Sequence, residues 1–188
     1  MKWETPDMSK KIVVITGSPR NNGNSVAMAD AFIEAAESQG HQVSRFDAAF
    51  LQIGGCCACD RCYESENACC IDDDFNRIAP EILAADAVVF ATPVYWYSIP
   101  AQIKSVIDKM YSFCVAMKSI DGKSCAVIAC CEDEDRSVLS GVSIPIERTA
   151  ALLNWRMAGE VLIPGTLYAG DQEKAEGCRQ AAALVDRI

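Results

Sequence analysis

The segment Gly17-Ser18-Pro19-Arg20-Asn21-Asn22-Gly23-Asn24-Ser25 crowds short polar donors and one cation into a single loop. Ser18, Asn22, Asn24 and Ser25 offer hydroxyl and amide groups, and Arg20 adds charge. A β-branched run, Ile12-Val13-Val14-Ile15-Thr16, leads in, and a helix-forming stretch from Val26 to Ser38 leads out. Strand, small-residue loop and helix together make an anion site. The first turn of a helix carries unpaired N–H groups and the positive end of the helix dipole. Gly17 and Gly23 stand too far apart for the dinucleotide fingerprint, and no Gly-Lys-Ser/Thr follows for a P-loop. The ligand this predicts is a nucleotide with one terminal phosphate. The plainer alternative is a well-capped strand-to-helix turn with Asn24 or Ser25 as N-cap.

Cysteine is the second source of chemistry. Of 11 in the chain, Cys56, Cys57, Cys59, Cys62, Cys69 and Cys70 fall in one stretch. Under reducing conditions such a group reads as metal-binding or redox-active before it reads as a disulfide framework. Cys56-x-x-Cys59-x-x-Cys62, followed by Cys69 or Cys70, presents the four thiolates that a [4Fe–4S] cluster takes. Sulfur ligation also admits zinc, although zinc ligands more often come as two separated pairs. Free thiols are the third reading. Adjacent Cys69 and Cys70 are poorly spaced for a mutual disulfide. Cys114, Cys125, Cys178 and the pair Cys130-Cys131 need no function, since buried cysteine packs as a small apolar residue. Asp72-Asp73-Asp74 is expected to cap a helix, because three consecutive carboxylates cannot all face one ion on a regular backbone. The single histidine, His41, lies away from these stretches, which excludes a Ser–His triad and a His-rich metal site.

A third stretch, Pro93-Val94-Tyr95-Trp96-Tyr97-Ser98-Ile99-Pro100, brackets three aromatics between prolines. An apolar wall with free backbone groups suits a flat heteroaromatic ligand. The alternative is that the aromatics pack under the next helix or in a subunit interface.

These loops need elements to hold them. Gln42 to Asp47 alternates as a strand near a sheet edge, and Ala87 to Thr92 is a continuous apolar run of the kind found in central parallel strands. Ser124 to Ala129 and Glu160 to Ile163 complete five strands with Ile12 to Thr16. Helical spacing recurs through Ile78 and Ile82, from Ala101 to Phe113, from Ile144 to Trp155 and from Gln172 to Arg187. Strands alternating with helices give an α/β, doubly wound parallel sheet with helices on both faces. Ligands of such sheets sit beyond the carboxyl ends of the strands. There the loops 17–25, 93–100 and 129–135 meet, with the cysteine loop expected over the same edge.

A flexible extension is expected over residues 1–10 and one domain over 11–188. Half-apolar composition (51%) and 23% charged residues fit a soluble globular chain. The net charge of −9 argues against a nucleic-acid surface. No apolar run approaches spanning length, and residues 1–11 lack a signal-peptide core, so a cytoplasmic protein without a membrane span is expected. Glu132-Asp133-Glu134-Asp135 reads as a solvated acidic loop, and Trp155 and Met157 as core or dimer-interface residues.

The Gly17–Ser25 loop resembles the phosphate loop of the NAD(P)H-dependent FMN reductases with a flavodoxin-like fold. The order that follows is similar to theirs: the cysteine loop, Asp72-Asp73-Asp74, Ala87 to Thr92, Pro93-Val94-Tyr95-Trp96, then Ile103-Lys104-x-x-Ile107-Asp108-Lys109. The likeness is strongest from Lys11 to Phe113. It implies a five-stranded sheet of order 2-1-3-4-5 and non-covalent FMN. Ser18, Arg20, Asn22, Gly23, Asn24 and Ser25 would hold the phosphate. Pro93, Val94, Tyr95, Trp96 and Ser98 would line the ribityl chain and ring. Cys130, Cys131 and Glu132 match the third flavin loop in position only, since the family carries small or Gly-rich sequence there. Iron–sulfur flavoproteins of this fold carry a compact cysteine motif in the same loop, which would make Cys56, Cys59, Cys62 and Cys69 cluster ligands.

The implied activity passes reducing equivalents from NAD(P)H through FMN to a flavin, quinone or other small acceptor. One alternative is an electron carrier with a [4Fe–4S] cluster and a redox-protein partner. The other is a flavin-binding module without turnover. No side chain is expected to be an essential acid or base, because the cofactor carries the chemistry. The resemblance also implies a homodimer or homotetramer.

Overall fold

A computed structural model describes residues 9–116, 119–166 and 171–188. Five strands form one sheet: β1 (Lys11–Thr16), β2 (Gln42–Asp47), β3 (Ala87–Pro93), β4 (Ser124–Cys130) and β5 (Arg156–Ile163). Their order is β2-β1-β3-β4-β5, and every neighbouring pair is parallel. Six helices connect and cover them: α1 (Asn24–Ser38), α2 (Phe75–Ala84), α3 (Ala101–Lys109), α4 (Tyr111–Val115), α5 (Ser140–Leu152) and α6 (Asp171–Leu184). This is the flavodoxin-like architecture.

Alternation along each strand divides the core in two. Val13, Ile15, Val88, Phe90, Val127 and Ala129 face α2, α3 and α5, where Phe75, Ile78, Ile103 and Ile146 are buried. Ile12, Val14, Val89, Ala126 and Ile128 face α1 and α6, against Met28, Phe32 and Leu184. Buried on both faces, β3 and β4 must be apolar throughout, which is why they read as continuous runs.

Several boundaries differ from the sequence reading. The helix expected from Ala101 to Phe113 divides at Met110, whose N–H is shared between the carbonyls of Val106 and Ile107. The helix expected from Ile144 starts a turn earlier, at Ser140, because a 3-10 turn (Arg136–Leu139) feeds it. Asp135 caps that turn by accepting the Ser137 N–H at 2.8 Å. Trp155 lies beyond this helix, buried, with its indole N–H donating to the Ile120 carbonyl. β5 is four residues longer than expected at its start; as an edge strand it exposes Arg156 and Glu160, which hid it from a search for apolar runs. The closing helix ends at Leu184 and passes into a 3-10 turn, Val185–Arg187.

Of the expected extension, residues 1–8 lie outside the described residues. Lys10 belongs to the sheet edge instead: its carbonyl accepts the Gln42 N–H at 2.8 Å, and its N–H donates to His41 Nδ1 at 3.2 Å. The lone histidine thus serves the start of β1. No helix among the described residues is long and apolar enough to cross a membrane.

Candidate functional site

Three loops leave the carboxyl edge of the sheet together. The first follows β1. Gly17 N–H donates to the Ala91 carbonyl at 2.9 Å, drawing the chain against β3. A Cβ at Gly17 would stand 2.4 Å from Thr92 Oγ1, so this approach requires glycine. Ser18 is buried and its Oγ accepts the Arg20 N–H at 3.1 Å; the Gly23 N–H then closes the turn on the Arg20 carbonyl at 3.0 Å. Gly23 is the N-cap of α1 and no side chain caps the helix start. This corrects the alternative that Asn24 or Ser25 caps: both lie inside the first turn, and Asn24 Nδ2 reaches across to the Thr166 carbonyl at 2.8 Å. The start of α1 therefore keeps the partial positive charge that favours an anion.

The second loop follows β3. Val94 N–H donates to the Cys130 carbonyl at 2.9 Å, and Tyr95 and Ser98 exchange backbone hydrogen bonds at 3.0 Å. Between them Trp96 and Tyr97 both take positive φ, 47° and 61°. That is the pattern of a type I′ turn, normally built from Asn-Gly. For two bulky residues it costs of order 1–3 kcal/mol each and persists only where surroundings impose it. Gly141, at the start of α5, supplies the constraint. A Cβ there would lie 1.7 Å from the Tyr97 carbonyl oxygen, so the turn rests in the notch that this glycine leaves. Trp96 projects into solvent, 95% exposed.

The third loop follows β4. Cys131 N–H donates to the Ile163 carbonyl at 3.1 Å, and Thr166 donates to the Cys131 carbonyl from both N–H (2.8 Å) and Oγ1 (2.9 Å). Burial pushes the Cys130 thiol up to about 11, against the smaller opposing effect of the Thr166 and Ser25 groups beside it. It is neutral at physiological pH and packs as an apolar residue rather than acting as a nucleophile.

A cavity of about 750 Å³ opens between the three loops. This is within the usual range for small-molecule sites, roughly 300–1,000 Å³. Ser18, Arg20, Asn22, Gly23, Asn24 and Ser25 form one wall, Pro93 to Trp96 another, and Cys130 and Cys131 the floor between them. The structure thus brings together every expected cofactor-loop residue except Ser98, which is absent from the cavity wall and pairs its backbone with Tyr95 instead. Tyr97, one of the three aromatics read as a ligand wall, and Asp133 of the third loop also stand there; the sequence reading missed Val138 and Thr166. Thr166 lies three residues past the end of β5 and is held at the wall by its two bonds to the Cys131 carbonyl, a contact that no local sequence pattern signals.

The cysteine loop contributes no described residue to the cavity wall. Its base is clasped. Asp73 accepts the N–H groups of Gly54 and Phe75, each at 3.0 Å, and pairs with the buried Lys109 of α3. Asp74 accepts the Gln52 N–H at 2.8 Å, while Asn76 bonds Cys69 and the Ile71 carbonyl. The capping role expected of Asp72-Asp73-Asp74 falls to Asp73, at the first N–H of α2. Within the loop, Cys59 Sγ and Cys70 Sγ are 3.5 Å apart. The Arg61 backbone N–H, then the Cys70 thiol and the Arg61 guanidinium, lower the Cys59 pKa to about 7. Cys62 and Cys69 are buried, and Cys56 and Cys57 exposed. Among the described residues no three cysteine, histidine or acidic side chains converge on a point that would hold one ion. As folded, the donor set offers one close pair, Cys59 with Cys70, the latter expected as an alternative to Cys69. It does not fit a four-sulfur cage.

Residues 10–138 match the family described as NADPH-dependent FMN reductase. The chain belongs to that family. It is 34% identical over 103 residues to an iron-sulfur flavoprotein of Archaeoglobus fulgidus, covering 55% of this chain and 46% of the relative. The chain therefore aligns with about half the length of that curated relative. Among solved structures it is similar to an azoreductase from Bacillus anthracis str. Sterne (TM-score 0.75, 16% identity, 95% and 100% of the two chains covered). It is similar also to an NAD(P)H:quinone oxidoreductase from Methanothermobacter marburgensis (TM-score 0.70, 18% identity, 94% of each chain). At these identities the structures establish the fold alone.

Proposed function

We propose that this chain binds FMN in the three-loop cavity and is an NAD(P)H-dependent oxidoreductase acting on a flavin, quinone or other small acceptor. The observation that carries the reading is the uncapped start of α1 beside an aromatic-walled cavity. A Cβ at Gly23 would stand 3.1 Å from both Ser18 Oγ and the Arg20 carbonyl, so the cradle is built around a missing side chain. Ser18, Arg20, Asn22, Asn24 and Ser25 would hold the phosphate, with the helix dipole adding to the charge of Arg20. Pro93, Val94, Tyr95 and Trp96 would flank the ribityl chain and ring. The floor at Cys130 and Cys131 is buried, with Glu132 and Asp133 following on the same wall. When bound, FMN accepts reducing equivalents from a nicotinamide and delivers them to the acceptor. The protein's own part is to bind, orient and shield. Trp96, exposed at the mouth, supports a homodimer or homotetramer in which a second chain covers it.

A second reading, electron transfer through a [4Fe–4S] cluster at Cys56, Cys59, Cys62 and Cys69, draws support from the name of the Archaeoglobus relative and from the cysteine spacing. The observed pairing of Cys59 with Cys70 supports it less well than it supports iron-free thiols. The test is anaerobic. The protein is loaded with FMN, NADH or NADPH is added, and the flavin absorbance is followed with iron assayed on the same sample. Bleaching by a pyridine nucleotide in iron-free protein, reversed by a quinone, supports the first reading. Four irons per chain would move the assignment to the second, and FMN that neither nucleotide reduces would leave a binding module.

A further inference from the structure

We infer that Cys59 and Cys70 are a reactive dithiol, closed to a disulfide by a hydroperoxide. This does not depend on FMN binding. The two sulfurs touch at 3.5 Å across a sequence separation of 11 residues, about 1.5 Å beyond a disulfide bond length of about 2.0 Å. Neither is sealed in the core: both are half-buried, whereas Cys62 and Cys69 are buried. The backbone around Cys59 is held in an uncommon shape, with Ala58 and Asp60 on either side at φ 51° and 55°. Outside a constrained setting such residues relax. Here Tyr111 of α4 donates to Asp60 Oδ1 at 3.3 Å. The other end is fixed by Asn76, which bonds the backbone of both neighbours of Cys70. Arg61 places its guanidinium beside Cys59 and within electrostatic reach of Cys70.

The chemistry balances. Cys59 sulfur attacks the terminal oxygen of the hydroperoxide, the O–O bond breaks, and an alcohol (water, for hydrogen peroxide) leaves with one proton. Cys59 is now a sulfenic acid. Cys70 sulfur attacks the Cys59 sulfur, the S–O bond breaks, water leaves, and the S–S bond forms. Two thiols and one hydroperoxide become one disulfide, one alcohol and one water, with two electrons passing from sulfur to oxygen. A cluster would occupy Cys59, so the dithiol and the cluster exclude each other at that residue.

The test uses the full chain, assayed for iron as purified and then treated with one equivalent of hydrogen peroxide. Remaining thiols are alkylated, and the linked peptides are mapped by mass spectrometry without reduction. The expected result is a loss of two titratable thiols per chain, one Cys59–Cys70 linked peptide, and full recovery with dithiothreitol. Cys70→Ser should stop the reaction at a Cys59 sulfenic acid that dimedone traps, with FMN binding unchanged. A link between any other pair, retention of all thiols, or a dimedone adduct on a cysteine other than Cys59 in Cys70→Ser overturns the proposal. So does iron bound by the loop in the purified protein.

Discussion

Gly141 to alanine sets two effects against each other in one position. Gly141 lies in the first turn of α5, where alanine is favoured over glycine by about 0.5–1 kcal/mol on backbone entropy alone. Its Cβ, however, would fall 1.7 Å from the Tyr97 carbonyl oxygen and 2.7 Å from the carbonyl carbon. The obstacle is backbone, already held at positive φ, and cannot rotate away. Overpacking of this kind costs typically 1–3 kcal/mol; an approach this close belongs near the top of that range. The net expectation is destabilisation by about 2 kcal/mol, a drop of about 1 M in the urea midpoint at a slope of ~2 kcal/mol/M. The same displacement moves the Tyr95–Ser98 turn at the cavity mouth, so FMN should bind more weakly as well. Urea unfolding followed by far-UV circular dichroism measures the first effect, with Gly55→Ala as a control because nothing lies within 4 Å of a Cβ there. A Gly141→Ala midpoint equal to or above that of the parent would refute the notch, leaving helix propensity as the whole story.

Other consequences follow from buried charge and buried thiols. Lys109→Met leaves Asp73 without its counter-charge inside the protein. Removing one partner of such a pair costs roughly 3–5 kcal/mol, and the two backbone donors that remain on Asp73 hold the loss near the lower figure; denaturant unfolding checks it, and Asp73→Asn in the same chain should recover part. Cys125, deep in the sheet, has its thiol pushed up to about 12 by burial. The folded state keeps a proton that the unfolded chain loses near 9, so this contribution is complete below pH 9 and disappears as pH rises toward 12. Between pH 9 and 11 thermal stability should fall, and in Cys125→Ala the fall should be shallower by roughly 2–3 kcal/mol. Gly17→Ala, which would press on Thr92 Oγ1 at 2.4 Å, should abolish FMN binding more completely than it lowers stability, and equilibrium dialysis beside a melting curve separates the two.

The parts of the fold that sequence makes visible are those whose burial leaves no choice of residue. β3 and β4 are covered on both faces and admit only apolar side chains, so they could be recognised as central strands; their place in the order came from the resemblance. The edge strand β5, free to carry Arg156 and Glu160, looked half its length. The polar loop before α1 was legible from its short donors between a strand and a helix; its cap was not, because Gly23 takes the N-cap place and leaves the helix start without a side-chain bond. In the cysteine loop, spacing suggested a set of four, whereas the observed contact between Cys59 and Cys70 depends on Asp73, Asn76 and Lys109 closing the base of the loop. Nothing in the local spacing of thiols carries that information.

The central claim is that a phosphate-bearing flavin docks at the start of α1. Its most direct measurement compares FMN with riboflavin by fluorescence quenching on the same protein. Each hydrogen bond to a charged group contributes about 1.5–3 kcal/mol. Two such bonds from the Ser18–Ser25 loop therefore predict FMN binding at least ~100-fold tighter than riboflavin. Equal affinity for the two flavins, or binding of neither, would contradict the account.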